Sequence, residues 1–463
     1  MEIAEKYDAV VIGTGQSGVP LAKTLAGEGW KTAIIERALV GGSCINYGCT
    51  PSKTMAASSE VIHISKKAGL YGVHNSNVEI NFKEIINRKT GMVKSFREGL
   101  EKGISKTDNL TLIRGEAEFY DKKTIKINLN DGKSITVKAD KIFINTGGSP
   151  FIPSIIGIDS VECLTSTSIM ELEEQPSHLL ILGGGYIGLE FGQMFRRFGS
   201  QVTIIEKGPQ ILSREDEDIS HEVEKILRDD DINILKNTTV SEVIKTNDNI
   251  IRLRLSSDGK ENFLTGSHLL IAAGRKPNTE SLNPAAAGIK TDSKGYIKVN
   301  SKLETNVDGI YALGDVKGGP AFTHISYDDY RVIRDNLLNR KTHTIRNRLV
   351  PYTVFIDPQL GRVGINEKEA IKKGIDYKVA KMEMSNVTRA VEVGETSGLM
   401  KAIVDTRTGK ILGCAVLGIE GGEIASIIQI AMMGNLKYTD LKEGIFTHPT
   451  LSEALNTLFA KID

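Results

Sequence analysis

The feature that most restricts the fold is a strand, glycine turn, helix, strand and acid that occurs twice. Tyr7 to Ile12 is a short apolar, β-branched run suited to a buried parallel strand, and Gly13-Thr14-Gly15-Gln16-Ser17-Gly18 follows at once. A helical stretch, Val19 to Glu28, and a second strand, Lys31 to Glu36, complete one βαβ unit. The order returns at Leu179 to Leu182, Gly183-Gly184-Gly185-Tyr186-Ile187-Gly188, a helical stretch through Phe198, and Gln201 to Glu206. Glu36 follows Gly13, and Glu206 follows Gly183, at the same distance of 23 positions. One such turn arises readily by chance, whereas two with matched strand, helix and acid predict two dinucleotide sites. The first glycine (Gly13, Gly183) permits the tight turn. The second (Gly15, Gly185) lets backbone approach a pyrophosphate, and the third (Gly18, Gly188) allows the helix to pack on the strand. Phosphates then meet unpaired N–H groups at the helix start, and Glu36 and Glu206 accept from ribose hydroxyls. The alternative is two Rossmann-like turns without a ligand.

At 463 residues the chain exceeds one core and should divide into about three domains. Short β-rich segments follow the first unit: Thr111 to Phe119, Thr124 to Leu129, Ser134 to Val137, and Asp140 to Asn145 running into Thr146-Gly147-Gly148. Arg252 to Leu255 and His268 to Ala273 follow the second, ending at Gly274-Arg275, and Gly309 to Asp315 is a strand ending in a glycine and an acid. From Arg348 onward the glycine signals stop, and an α+β pattern ends in a helical tail, Leu451 to Phe459. The 58 basic and 58 acidic residues cancel with no long run of either sign, so charge gives no reason to expect nucleic acid or an anionic membrane as partner. No apolar run approaches the roughly 20 residues of a membrane span. Met1 to Lys6 runs directly into a strand, leaving no room for a signal peptide, so the expected location is the cytoplasm.

Only four cysteines occur, and two of them, Cys44 and Cys49, lie close together in Gly41-Gly42-Ser43-Cys44-Ile45-Asn46-Tyr47-Gly48-Cys49-Thr50-Pro51-Ser52-Lys53. Residues five apart in a straight helix have Cα atoms about 8–9 Å apart, beyond the disulfide range of about 7 Å, so the backbone must bend, and Gly48 permits it. Pro51 after Thr50 suits a helix starting just past Cys49 with Thr50 as N-cap, and a helix start lowers a nearby thiol's pKa. A half zinc site would need two further ligands; the remaining cysteines, Cys163 and Cys414, are scattered and the histidines lack ligand spacing, so no metal site is expected. A static disulfide or a pair of buried thiols is the other alternative.

The cysteine run resembles the active site of the class I pyridine nucleotide-disulfide oxidoreductases, a family that includes dihydrolipoyl dehydrogenase, glutathione reductase and mercuric reductase. The resemblance covers essentially the whole chain: both fingerprints, the cysteine run, Thr146-Gly147, Gly183 to Glu190, Gly274-Arg275, Gly314-Asp315 and His448-Pro449-Thr450-Leu451-Ser452-Glu453. It implies an α/β fold with two Rossmann-like dinucleotide-binding domains and a C-terminal α+β dimerisation domain. The expected boundaries are 1–148 and 275–347 for the FAD-binding parts, 149–274 for the NAD(P)-binding domain and 348–463 for dimerisation. It also implies a redox disulfide in which Cys49 is nearer the flavin and Cys44 meets substrate. Lys53 would lie beside the isoalloxazine with Glu190 as its ion-pair partner, Tyr186 would cover the flavin until nicotinamide arrives, and Asp315 would contact FAD. Gly42, Ser43, Thr146, Gly147 and Gly314 are further implied FAD contacts, and Gly274 lies with the nucleotide contacts. His448 is the implied acid/base for Cys44, oriented by Glu453 and supplied by the second subunit of a homodimer. Glu206 favours NADH over NADPH, although Lys207 stands beside it.

Within the family, Pro51-Ser52-Lys53, Glu206 and the HPTLSE run support dihydrolipoyl dehydrogenase, while Ser43, Tyr47 and Phe446-Thr447 depart from its usual pattern. Glutathione reductase commonly ends the cysteine run in Pro-Lys-Lys. Mercuric reductase carries a C-terminal cysteine pair, whereas Cys414 is the last cysteine here. Residues Thr323 to Arg331 and Phe446 to Pro449 look most like a mercuric-reductase-like branch lacking that pair, which includes flavoproteins of the reactive-chlorine response. The first expectation is therefore a reductase of that branch, acting on a small-molecule or metal-ion acceptor. Dihydrolipoyl dehydrogenase comes second, and a non-enzymatic FAD-binding protein responsive to nicotinamide third.

Overall fold

A computed structural model describes residues 5–74, 77–246, 248 and 250–462. The chain forms two compact units: Met1–Thr54, Glu84–Phe151 and Gly274–Arg348 in one, and Met55–Lys83, Ile152–Ala273 and Leu349–Asp463 in the other.

In the first unit, strand Glu5–Ile12 lies at the centre of a parallel sheet. Thr32–Glu36 pairs with it on one side and Ser134–Ile144 on the other, with Ala9 opposite Thr32 and Lys141. Leu110–Phe119 extends the sheet beyond Thr32–Glu36, and Ile310–Ala312 extends it beyond Ser134–Ile144. Both faces are covered, which is why Ala9 to Val11 and Ala33 to Ile35 read as unbroken apolar runs rather than alternating ones. Thr124–Leu129 pairs antiparallel with both Leu110–Phe119 and Ser134–Ile144. The sequence pattern predicts two strands where the structure has one, Ser134–Ile144: Lys138 and Asp140 point outward while Val137 and Ala139 are buried, so the charges do not interrupt the ladder.

In the second unit a parallel sheet runs His268–Ile271, His178–Leu182, Gln201–Ile205, Asn233–Leu235, and a separate antiparallel sheet holds Thr238–Lys245, Ile251–Ser257 and Lys260–Gly266. Helix Glu217–Asp229 buries Ile219, Val223, Ile226 and Leu227 along one stripe, and its first turn carries Glu217 and Asp218, which suit the positive helix start. The C-terminal part is a five-stranded antiparallel sheet ordered Tyr352–Val354, Gln359–Gly364, Ile411–Gly418, Leu399–Asp405, Tyr377–Glu383. Helix Gly421–Met433 packs on it through Ile424 and Ile428. The last helix is Ala454–Phe459, shorter than the expected tail from Leu451, because the Thr450 hydroxyl takes the Glu453 N–H at 3.2 Å and holds 451–453 as a turn.

Candidate active site

Cys44 lies in a five-residue helix, Gly42–Asn46, and Cys49 is the first residue of helix Cys49–Lys67. The longer helix thus begins at the sulfur itself and Thr50 is not its cap. Gly48 supplies the first acceptor, its carbonyl taking the Ser52 N–H at 3.0 Å and the Ser52 hydroxyl at 2.7 Å. A Cβ on Gly48 would stand 2.9 Å from the Ser43 carbonyl oxygen and 3.4 Å from Cys44 Cα, so the glycine sets how closely the cysteines approach. No disulfide joins them, and the two side chains are hydrogen-bonded to one another. The hydrogen bond with Cys49 pushes the Cys44 thiol well above its ordinary range, with burial and the Cys49 charge adding to it.

Thr323, which the sequence marks only as the start of a branch-like run, completes this arrangement. The Thr323 hydroxyl is 3.3 Å from Cys49 Sγ, and Thr323 opens helix Thr323–Leu337. Two helices begin at one sulfur, and neither has an acidic residue in its first turn, so both positive ends favour an anion there.

The two fingerprints repeat in atomic detail. Gly13 and Gly183 have φ of 104° and 117°, and a Cβ there would lie 2.3 Å from the Asn145 oxygen and 2.6 Å from that of Ala272. At Gly18 and Gly188 a Cβ would meet the carbonyl oxygens of Gly13 and Gly183 at 2.2 and 2.1 Å, the close helix-to-strand contact expected of the third glycine. Gly185 has nothing within 4 Å, and Gly15 lies against Gly42, whose Cβ would be 2.8 Å from Gly15 Cα. At helices Gly18–Gly27 and Tyr186–Phe198 the N-cap residues, Ser17 and Gly185, make no side-chain capping bond, and neither first turn holds an acid. Each acid folds back on its own turn. Glu36 accepts from the Thr14 N–H at 3.1 Å and hydroxyl at 2.5 Å, and Glu206 accepts from the N–H groups of Gly184 at 2.8 Å and Gly208 at 2.7 Å. The glycine turns, the helix starts without a first-turn acid and the acids paired to their own turns fit two dinucleotides.

Asn145 joins the parts of the first site, another role the sequence does not reveal. Its side chain accepts the Gly18 N–H at 3.0 Å and donates to Ser17 Oγ at 2.7 Å and the Leu313 carbonyl at 3.0 Å. Next to it Thr146 donates to the Asn278 carbonyl at 2.8 Å, and Gly147 and Gly274, with φ of 68° and 129°, have nothing within 4 Å of a would-be Cβ. Gly314 gives its N–H to buried Asp329 at 2.9 Å, and Asp315 lies 3.6 Å from Arg275. Burial pushes the Asp315 carboxyl above its ordinary range.

Lys53 is half-buried one turn beyond Cys49, and Ser43 is exposed. In the second unit Tyr186 is half-buried at the helix start, and buried Glu190 accepts the Phe355 N–H at 2.9 Å. His448 is exposed, and its Nδ1 lies 2.9 and 3.0 Å from the two Glu453 oxygens, a contact in which Nδ1–H donates to the carboxylate.

The model of the pyridine nucleotide-disulphide oxidoreductase family matches residues 7–329, and that family's dimerisation domain matches residues 350–459. The chain belongs to this family and is an NAD(P)H-dependent flavoprotein disulfide oxidoreductase. Among its relatives, the probable pyridine nucleotide-disulfide oxidoreductase RclA of Escherichia coli (strain K12) is 40% identical over 461 residues, 99% of each chain. A mercuric reductase of Lysinibacillus sphaericus is 34% identical over 451 residues, 97% of this chain and 82% of its own. The solved Cu(II) complex of the HOCl-induced flavoprotein disulfide reductase RclA from Escherichia coli superimposes with a TM-score of 0.91 at 38% identity, over 99% of this chain and 100% of that one. None of the described helices is long and apolar enough to cross a membrane.

Proposed function

We propose that the enzyme moves electrons from NADH to a disulfide between Cys44 and Cys49, and from the reduced pair to a disulfide or thiophilic metal-ion acceptor. The observation that carries this is the sulfur pair itself, two cysteines in contact where two helices start, with the Thr323 hydroxyl beside Cys49. When bound, FAD supplies the two-electron relay between the nicotinamide and the disulfide. The balance closes without another reductant: NADH gives up a hydride, the S–S bond breaks, and a thiol remains at Cys44 with a thiolate at Cys49. The two helix starts and Thr323 stabilise that thiolate. Cys44 then attacks the acceptor once His448, oriented by Glu453 and contributed by the partner of a homodimer, has taken its proton. Gly13, Gly15, Gly18, Glu36, Gly42, Ser43, Thr146, Gly147, Gly314 and Asp315 are the proposed FAD contacts. Lys53 and Glu190 form the ion pair beside the flavin, with Tyr186 over it. Gly183, Gly185, Gly188, Glu206 and Gly274 serve the nicotinamide nucleotide, and a carboxylate at 206 favours a free 2′-hydroxyl over a 2′-phosphate.

Dihydrolipoyl dehydrogenase is the less favoured reading, since an RclA protein matches this chain from end to end, and that protein's structure holds Cu(II). Anaerobic titration with NADH tests the pair: a long-wavelength thiolate-to-flavin band should grow on two-electron reduction and be absent from Cys49→Ser. Cys44→Ser should keep NADH-driven flavin reduction and lose acceptor turnover. Full turnover in Cys44→Ser would show that electrons leave the flavin directly.

A further inference from the structure

The segment after Glu206 is fastened at both ends. At the near end Glu206 holds the N–H groups of Gly184 and Gly208, and Leu212, in the left-handed region at φ 45°, gives its N–H to the Gly184 carbonyl at 2.9 Å. At the far end Glu215 is 3% exposed; it accepts Arg362 Nε at 3.0 Å and the Tyr352 hydroxyl. Asp216 receives the first two N–H groups of helix Glu367–Lys373, from Glu367 at 3.2 Å and Lys368 at 3.3 Å, and pairs with buried Lys401 at 3.0 Å. Between the ends, Lys368 Nζ donates to the Gln210 side chain at 3.2 Å and to the Glu215 carbonyl at 2.8 Å, and Asn366 donates to the Arg214 carbonyl at 2.8 Å. Tyr352, Arg362, Asn366, Lys368 and Lys401 all lie within the stretch 350–459 that matches the dimerisation domain.

Ionic contacts this buried are hard to explain as simple stabilisers, since taking both charges out of water costs about as much as their attraction returns. What they do well is fix one geometry. The strap they hold carries the proposed ribose acceptor at its start and packs on the glycine turn. We infer that Glu215, Arg362 and Tyr352 are positioning residues for the nicotinamide nucleotide, by which the dimerisation domain sets the shape of the Glu206 turn. The inference rests on reading the second fingerprint as the nicotinamide site.

The test uses the FAD-loaded enzyme. Glu215→Gln should raise the calorimetric Kd for the oxidised nicotinamide nucleotide, and KM for its reduced form, by about tenfold, and Tyr352→Phe by about threefold. In both variants kcat at saturating nucleotide and the flavin spectrum should stay as in the parent. In Glu215→Gln/Arg362→Met the buried pair is removed together and only the exposed Glu369 carboxylate, 4.0 Å from Arg362, loses a partner, so the thermal midpoint should recover while the raised KM persists. Unchanged Kd and KM in both single variants, or a KM that returns to the parent value in the double variant, overturns the assignment. Failure of NADH and NADPH alike to reduce the parent flavin overturns the nucleotide reading and this assignment together.

Discussion

Thr323 and Asn145 show how much of the site depends on single hydrogen bonds. The Thr323 hydroxyl has one proton to give and two sulfurs in reach, and its bond to an ionised sulfur is worth more than one to a thiol. Thr323→Val keeps the shape and removes that proton. We expect the pH at which the Cys49 thiolate band reaches half intensity to rise by about one unit, and Thr323→Ser to restore it. Cys44, Tyr47 and Lys53 stand near Cys49 along the chain, and His324 and Tyr327 near Thr323, so the titration should be repeated in Cys44→Ser. Because Cys49 is exposed and Cys44 half-buried, iodoacetamide should label Cys49 first in the reduced enzyme at neutral pH, as peptide mass mapping would show. Neither role was legible beforehand. Asn145 is the polar end of an apolar strand and Thr323 stands nearly 280 positions from Cys49, so only the folded chain shows what they touch.

At the scale of elements, the sequence pattern read well wherever local geometry dictates residue type. Both glycine turns need positive φ and bare backbone, and both acids sit where the second strand ends, so the βαβ units were visible from composition and spacing alone. Three details turn on single hydrogen bonds or on which way a side chain points and were misplaced: the unbroken strand Ser134–Ile144, the helix start at Cys49, and the late start of the last helix. The small helix around Cys44 gave no signal, being five residues long and framed by glycines. The matched turns predict matched failures. A methyl at Gly18 or Gly188 would fall about 2 Å from a carbonyl oxygen, so each alanine variant must push its helix off its strand. Gly188→Ala should bind FAD and lose nicotinamide reduction, whereas Gly18→Ala should be isolated without flavin, both read from absorption spectra. Lys401, on strand Leu399–Asp405, is pushed up to about 12 despite its burial by the carboxylates of Glu367, Asp216 and Asp218. Its folded pKa lies above the ordinary 10.5, so its contribution to stability is complete below about pH 10.5 and fades as pH rises through 12. The unfolding midpoint of Lys401→Met should therefore approach that of the parent across this alkaline window, and a constant gap would contradict it.

For the whole molecule, the expectation hardest to draw from one chain is that each site borrows His448 from its partner. The dimerisation domain and the His448–Glu453 contact are present, but each subunit would supply only part of a site. Mixed dimers test this directly. Cys44→Ser and His448→Ala homodimers should both be inactive, while a heterodimer of the two has one intact site and should show about half the parent turnover. If cysteine and histidine acted within one subunit, the heterodimer would be as inactive as its parents.

The strand order of the first unit has a further consequence, for the chain as it is made. Ile310–Ala312 completes the parallel sheet beside Ser134–Ile144, yet about 165 residues separate them along the chain. At roughly 5–20 residues per second, the edge of Ser134–Ile144 waits on the ribosome for about 8–33 s before its neighbour emerges. An open parallel edge invites pairing with other chains during that delay. Slowing synthesis across residues 145–309 should therefore lower the yield of soluble enzyme more than slowing it after residue 348.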